Sequence, residues 1–257
     1  MLVLGEARYA ILGGYDRLAV ALGTCLVAEL ALSRALRGQF ANPSSAYISG
    51  ISLSLLTKPQ ANLLWPFALG GFLAIASKYV LTHRGRHLWN PSNFAICLLL
   101  LAAPQQVAVL GHQWGNDLRV NLVVWAFGLL IVSRARMLHV TLTYVTSFVL
   151  LAVLRQFLTG GPLAAEIAPI TGPMYQLFVF FMITDPRTTV SSRRGRMMVA
   201  ATVALVEMVI RLAADFQLGF LRPLYPSPPL LALAIVGPAA MWVDLQRRAI
   251  PSRFAPS

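Results

Sequence analysis

Nine apolar segments, separated by short polar joints, run from residue 17 to residue 248. Segments 17–36, 65–81, 118–136, 137–158, 196–214 and 228–248 are each near the length of about 20 helical residues that crosses a hydrocarbon layer. Segment 90–104 (NPSNFAICLLLLAAP) opens on Asn90 as N-cap with Pro91 in the first helical position, and it stops at Pro104. Segments 118–136 and 137–158 predict a tight helical hairpin. The remaining two, 44–59 and 170–186, hold apolar stretches too short for a full span and read as half-helices or broken ones. No joint is long enough for a soluble domain, so the pattern predicts one all-α, polytopic membrane domain over residues 1–257.

The two short segments end alike, in Leu-Thr-Lys-Pro at 56–59 and Ile-Thr-Asp-Pro at 183–186. Basic residues gather at alternate joints: Arg34 and Arg37, then Lys78, Arg84 and Arg86, then Arg134 and Arg136, then Arg187 to Arg196, and last Arg247, Arg248 and Arg253. The positive-inside bias makes these joints cytoplasmic, which puts the N-terminus outside and the C-terminus inside. The short segments then run in opposite directions. That is the signature of an inverted-topology repeat, here about 17–117 and 118–248, whose broken helices supply polar backbone to a site near the midplane. A plainer alternative is that each proline merely marks a helix end.

Composition agrees: the chain is 57% hydrophobic and only 12% charged, too apolar for a water-facing fold. The net charge of +12 does not point to nucleic acid, because the arginines lie between apolar segments. Residues 1–16 lack the basic start and small-residue cleavage pattern of a signal peptide. Cys25 and Cys97 lie inside apolar segments without metal-ligand spacing.

In order along the chain, LVAELALSRALRG, SGISLSLLTKP, SKYVLTHRGRHLWNPSN and FFMITDPRTTVSSRRGR resemble the D subunit of Rnf-type electron-transport complexes. The B subunit of sodium-pumping NADH:quinone reductases is a close relative of that family. The resemblance covers roughly residues 18–248, with "NP" and "TDP" as its most specific marks. It implies two inverted sets of helices, electron transfer through flavins, partner subunits and a bacterial cytoplasmic-membrane location. Two departures are visible. The family's first spanning helix has no counterpart here, and the family's threonine, which carries FMN through a phosphoester, has none either, since no threonine lies between Thr82 and Thr141. The chain looks more like the small stand-alone relatives found in enediyne biosynthetic clusters than like a full pump subunit.

In the sodium-pump relative the asparagine of "NP" and the residue three before it line a riboflavin site, and the matching positions here are Asn90 and His87. An isoalloxazine edge alternates carbonyl acceptors with an N–H donor, which an asparagine amide can match. Trp89, Tyr79 and Phe94 are candidates to stack on such a ring. Asn93, Asp185 and Thr188 complete the candidate set, Asp185 closing the second short helix, and its distance from Asn90 is expected to be within about 12 Å. The plain reading keeps Asn90 as an N-cap and Trp89 as an interface anchor. His83 and His87 have the spacing of a metal pair on a helix, yet Gly85 and two arginines intervene and no carboxylate is near, so no metal site is expected; His112 and His139 fall on opposite sides of the membrane and share no haem. Glu29, Glu207 and Arg211 are ionisable groups within or close to spanning segments, where such groups pair or line ion paths.

These features predict a membrane electron-transfer protein with a non-covalent flavin, riboflavin or FMN, relaying electrons between a cytoplasmic donor and a partner in or across the bilayer. The rival classes are a small-solute channel or transporter on the same inverted fold, and a cofactor-less assembly subunit.

Overall fold

The computed structural model describes residues 5–7, 10–60, 62–109 and 118–249. Each apolar segment contains a helix: α1 (Tyr15–Arg37), α2 (Ser44–Leu56), α3 (Trp65–Val80), α4 (Pro91–Ala102), α5 (Leu118–Arg134), α6 (Leu138–Thr159), then after a short α7 (Leu163–Ile167) the broken α8 (Pro173–Leu177), α9 (Arg193–Asp215) and α10 (Pro228–Ala249). Four of them, α1, α6, α9 and α10, are long and apolar enough to cross a membrane. Large apolar side chains such as Val27, Leu122, Leu150, Phe157 and Leu205 remain exposed. In a bilayer these face acyl chains, where exposure has no hydrophobic cost. The protein is an all-α polytopic membrane protein.

Helices α1, α2, α3 and α4 pack together, as do α6, α9 and α10, and α4 against α10 joins the two groups. Small residues allow the closest crossings. A Cβ on Gly71 of α3 would lie 3.2 Å from Thr24 and 3.3 Å from the Cys25 Sγ of α1, and one on Gly128 of α5 would lie 2.5 Å from the Phe180 ring. The hairpin of α5 and α6 turns tightly at Arg136, whose φ is 55°. Its arms nevertheless part: α6 packs chiefly against α9, while α5 leans on the broken helix.

Both short segments stop as helices inside the chain's apolar pattern. At Thr57 the chain turns extended, and β1 (Thr57–Pro59) pairs antiparallel with β4 (Val107–Val109), Thr57 opposite Val109. The second segment begins with a 3-10 turn over Ala168–Thr171, passes through α8 and loosens into a π-helix over Phe178–Met182. A π turn leaves carbonyls short of partners, and two threonines supply them: Thr184 Oγ1 donates to the Phe180 carbonyl at 2.7 Å and Thr141 Oγ1 to that of Val179 at 3.3 Å. These hydroxyls make the broken backbone tolerable in apolar surroundings.

Candidate functional site

Between α3 and α4 the sequence THRGRH forms a two-residue hairpin, β2 (Thr82–His83) with β3 (Arg86–His87). Arg84 and Gly85 both take positive φ, 51° and 75°, the requirement of a type I′ turn. The hairpin is fastened at both flanks. Arg86 Nη2 donates to the carbonyls of Pro186 (3.1 Å), Arg187 (3.3 Å) and Thr189 (3.3 Å), and Arg84 Nη1 donates to Leu245 at 2.9 Å. His83 stacks on Trp242 with ring centroids 4.3 Å apart. The "NP" start of α4 is thereby held against the "TDP" loop and the end of α10.

Asn90 caps α4 as expected, its Oδ1 accepting from the Asn93 N–H at 3.1 Å. Its Nδ2 donates across the molecule to Asp185 Oδ2, also at 3.1 Å. Asp185 additionally accepts from Thr188 Oγ1 at 3.0 Å and from the Arg187 N–H at 3.0 Å, which folds the loop after the π turn. The start of α4 and the end of the second short segment are therefore in direct contact, far closer than the expected limit. Asn90 keeps one amide hydrogen and one carbonyl lone pair unspent.

Beside this bond lies a narrow pocket lined by Trp89, Asn90, Asn93, Thr188 and Thr189, with Leu88, Met182, Val199 and Leu233 among its apolar walls. Its empty space, including the part open to solvent, is about 410 Å³. Trp89 is anchored by Nε1 donating to the Ala234 carbonyl at 2.9 Å, and its ring sits 5.9 Å from that of Phe94. Asn93, almost fully buried, donates to the Leu230 carbonyl at 3.1 Å. An amide, two hydroxyls and an indole thus converge on a largely apolar slot.

Of the candidate residues, Trp89, Asn90, Asn93 and Thr188 line this pocket, and Asp185 stands behind Asn90. His87 does not line it. Its strand pairing with Thr82 places it outside the pocket wall, where Nδ1 is buried with no hydrogen-bond partner among the described residues. Burial, and after it the charge of Lys78, holds the His87 imidazole below its ordinary 6.5 against the opposing pull of Asp185. His83 and His87 sit on opposite strands of a hairpin, so the helical spacing that would pair them on one face does not arise. Tyr79 is likewise turned elsewhere, donating to Glu29 Oε1 at 2.7 Å beneath the Arg37 guanidinium, 4.7 Å from the ring centroid. His112 lies outside the described residues.

Two further buried polar centres tie the helices together. In the first, Lys78 of α3 pairs with Glu29 of α1 at 3.1 Å and donates to Ser45 Oγ of α2 at 2.7 Å. In the second, the fully buried Glu207 of α9 pairs with Arg211 at 3.0 Å and accepts from the hydroxyls of Tyr144 on α6 and Tyr175 on α8. The sequence singles out Glu29 and the Glu207–Arg211 pair but not Lys78, Tyr144 or Tyr175 as partners. A buried carboxylate needs several donors, and a tyrosine near the start of each neighbouring helix was the available signal.

A helix start and the end of a broken helix, joined through polar side chains within an all-α membrane fold, define an integral membrane protein with a polar junction between helix ends. No family model matches the chain. Over 101 residues it is 32% identical to the D subunit of the ion-translocating oxidoreductase complex from Shigella flexneri serotype 5b (strain 8401), a match covering 39% of this chain and 28% of the relative. The corresponding D subunit from Shigella flexneri matches equally, at 32% over 101 residues. The similarity is thus to the same D subunit whose marks the sequence carries, and the matched stretch spans less than a third of the curated relatives' length.

Proposed function

We propose that the protein is a membrane electron-transfer subunit that holds a flavin without a covalent bond in the Trp89–Asn90 pocket. The observation that carries this reading is the Asn90–Asp185 bond, which joins the start of α4 to the loop after the broken helix beside a slot of suitable chemistry. Asn90 retains a donor and an acceptor for a ring edge, Thr188 and Thr189 add hydroxyls, and Trp89 with the apolar walls offers a flat, water-poor lining. A bound flavin would supply one- and two-electron transfer. The chain's own residues orient the ring edge, exclude water and, through Asp185, fix the asparagine amide. The role named for the relatives, a subunit of an ion-translocating oxidoreductase complex, supports partner subunits and a redox task.

Purification in mild detergent tests the reading. The expected result is a yellow protein with the two absorption bands of an oxidised flavin at near one equivalent per chain. A colourless protein that takes up neither added riboflavin nor added FMN overturns it in favour of a channel or an assembly subunit.

A further inference from the structure

The glycines of the membrane helices divide by what a side chain at each would meet. A Cβ on Gly50 of α2 would lie 2.9 Å from Leu22 and one on Gly70 of α3 would lie 2.9 Å from Leu99, so these two, like Gly71 and Gly128, are explained by helix crossings. Gly237 of α10 is different. Beyond the helix's own backbone, a Cβ there would touch only the Leu233 Cδ1, at an ordinary 3.5 Å. Leu233 stands one turn earlier on the same face of α10, and both residues line the Trp89–Asn90 pocket. A side chain at position 237 would therefore project into that pocket. Glycine weakens a helix interior relative to alanine, and no crossing helix requires it at this point.

The next residue adds a second constraint. Pro238, inside α10, has no N–H to give to the carbonyl of Ala234. The indole N–H of Trp89 takes that place at 2.9 Å, and one turn earlier Asn93 donates to the Leu230 carbonyl at 3.1 Å. The start of α4 is thus pinned to α10 through a backbone group that a proline sets free. Asn90 follows Trp89 in the chain, so this bond sets the separation of Asn90 from Gly237, two residues that border the same pocket.

We propose that Gly237 is the specificity-determining residue of the pocket: the bare backbone of α10 at this turn is the wall against which a flat, fused aromatic ring lies, and Trp89, its N–H spent on Ala234, is the positioning residue that sets the width. The proposal rests on the flavin reading above and adds to it the wall that decides which rings enter. A planar ring approaches a peptide backbone closely only where no Cβ intervenes, and Asn90 meets its polar edge at the same time.

The test is equilibrium titration of the full chain in mild detergent with riboflavin, read by quenching of flavin fluorescence, beside thermal unfolding without added flavin. Gly237→Leu should weaken binding about tenfold or more, and Gly237→Ala by less. Both should unfold at a midpoint no lower than the parent's, because the new Cβ meets open space and either residue favours a helix. Gly23→Leu, on the exposed side of α1 where a Cβ also meets nothing within 4 Å, should bind as the parent does. Trp89→Phe should bind about fivefold more weakly and unfold earlier. Adding Pro238→Ala returns a backbone N–H to Ala234, so the double variant should regain the midpoint but not the affinity. Parent affinity in Gly237→Leu or, should that variant not fold, in Gly237→Ala overturns the proposal, as does a lowered midpoint in both. A double variant that regains affinity as well shows that Trp89 only repairs the helix and overturns its positioning role. The two ideas fail differently: a parent that binds no flavin sinks the flavin reading and this proposal with it, whereas a parent that binds flavin regardless of residue 237 sinks this proposal alone.

Discussion

The side-chain amide of Asn90 donates to the Asp185 carboxylate across 3.1 Å, joining residues that are 95 positions apart. One residue starts a helix and the other follows the end of a broken one, so the bond makes a single polar junction from a helix start and a helix end. Asn90→Leu removes both the donor and the acceptor while roughly keeping the volume, and it should cost on the order of 1–3 kcal/mol of flavin affinity. Asp185→Asn keeps one carbonyl oxygen for Thr188 or the Arg187 N–H and should weaken affinity less. Equilibrium titration of each purified variant with riboflavin and FMN measures both effects, and full retention by Asn90→Leu would return the junction to helix punctuation.

Attachment of the flavin gives an independent check. Without a threonine between Thr82 and Thr141, no phosphoester is expected at the family's position. The flavin should leave on acid precipitation, and a denaturing gel should show no fluorescent band. A surviving band would assign the linkage to another hydroxyl, with Thr188 and Thr189 the first to replace.

The arrangement of helix ends also predicts topology. Arg136 precedes α6 and Arg194 opens α9, two helices that pack together and that Arg196 links through Met137 at 3.5 Å. Cysteines introduced at these two positions should be labelled from the same face, the cytoplasmic one, by a membrane-impermeant reagent. Labelling from opposite faces would refute the inverted arrangement.

Glu207 is wholly buried and holds α6, α8 and α9 to one point through Tyr144, Tyr175 and Arg211. Glu207→Leu removes the acceptor of two buried tyrosine hydroxyls and leaves the Arg211 guanidinium only the Tyr175 oxygen in place of its carboxylate, and should destabilise the protein by about 3–5 kcal/mol. Glu207→Gln retains an acceptor and should unfold at a temperature between the two. Thermal scans in detergent give the order; a Leu variant as stable as the parent would show that water fills the gap.

His87 sets a pH dependence. Its folded-state value lies below the unfolded 6.5 because burial and Lys78 disfavour the charged ring. The unfolded chain therefore binds the proton more readily, so the contribution of neutral His87 is complete above 6.5 and is lost as the pH falls through the depressed value. Thermal stability should decline on acidification below 6.5 in the parent, and the decline should be shallower in His87→Gln. Equal slopes would remove His87 as the cause.

The apolar segments, the cap at Asn90 and the premature stops at Thr57 and Thr184 are legible in the sequence because they follow from patterns that are local in the chain. Helix α8 illustrates the limit: its shortness can be read, but its π geometry depends on Thr141 and Thr184 reaching freed carbonyls, a condition that periodicity does not encode. The site divides in the same way. Asn90, Asn93, Trp89 and Thr188 share a pocket because two punctuation marks of known type meet, whereas His87 is turned aside by a two-residue hairpin whose strand register decides its direction. Lys78 reads as a topology charge, and the structure instead gives it to Glu29, since a lysine within reach of a buried carboxylate gains more there than at the surface.

The pairing of Thr57–Pro59 with Val107–Val109 bears on how the chain is made. The end of α2 obtains its extended partner only from residues that follow α4, after two further helices have been synthesised. Until then α2, too short to cross alone, has no finished seat. A nascent chain cut before Val107 should therefore leave α2 open to water and to labelling at Ser54, and completion of the ribbon should close it. The order of synthesis is thus written into a three-residue strand: the first half of the protein can become a membrane domain only when its last helix has arrived.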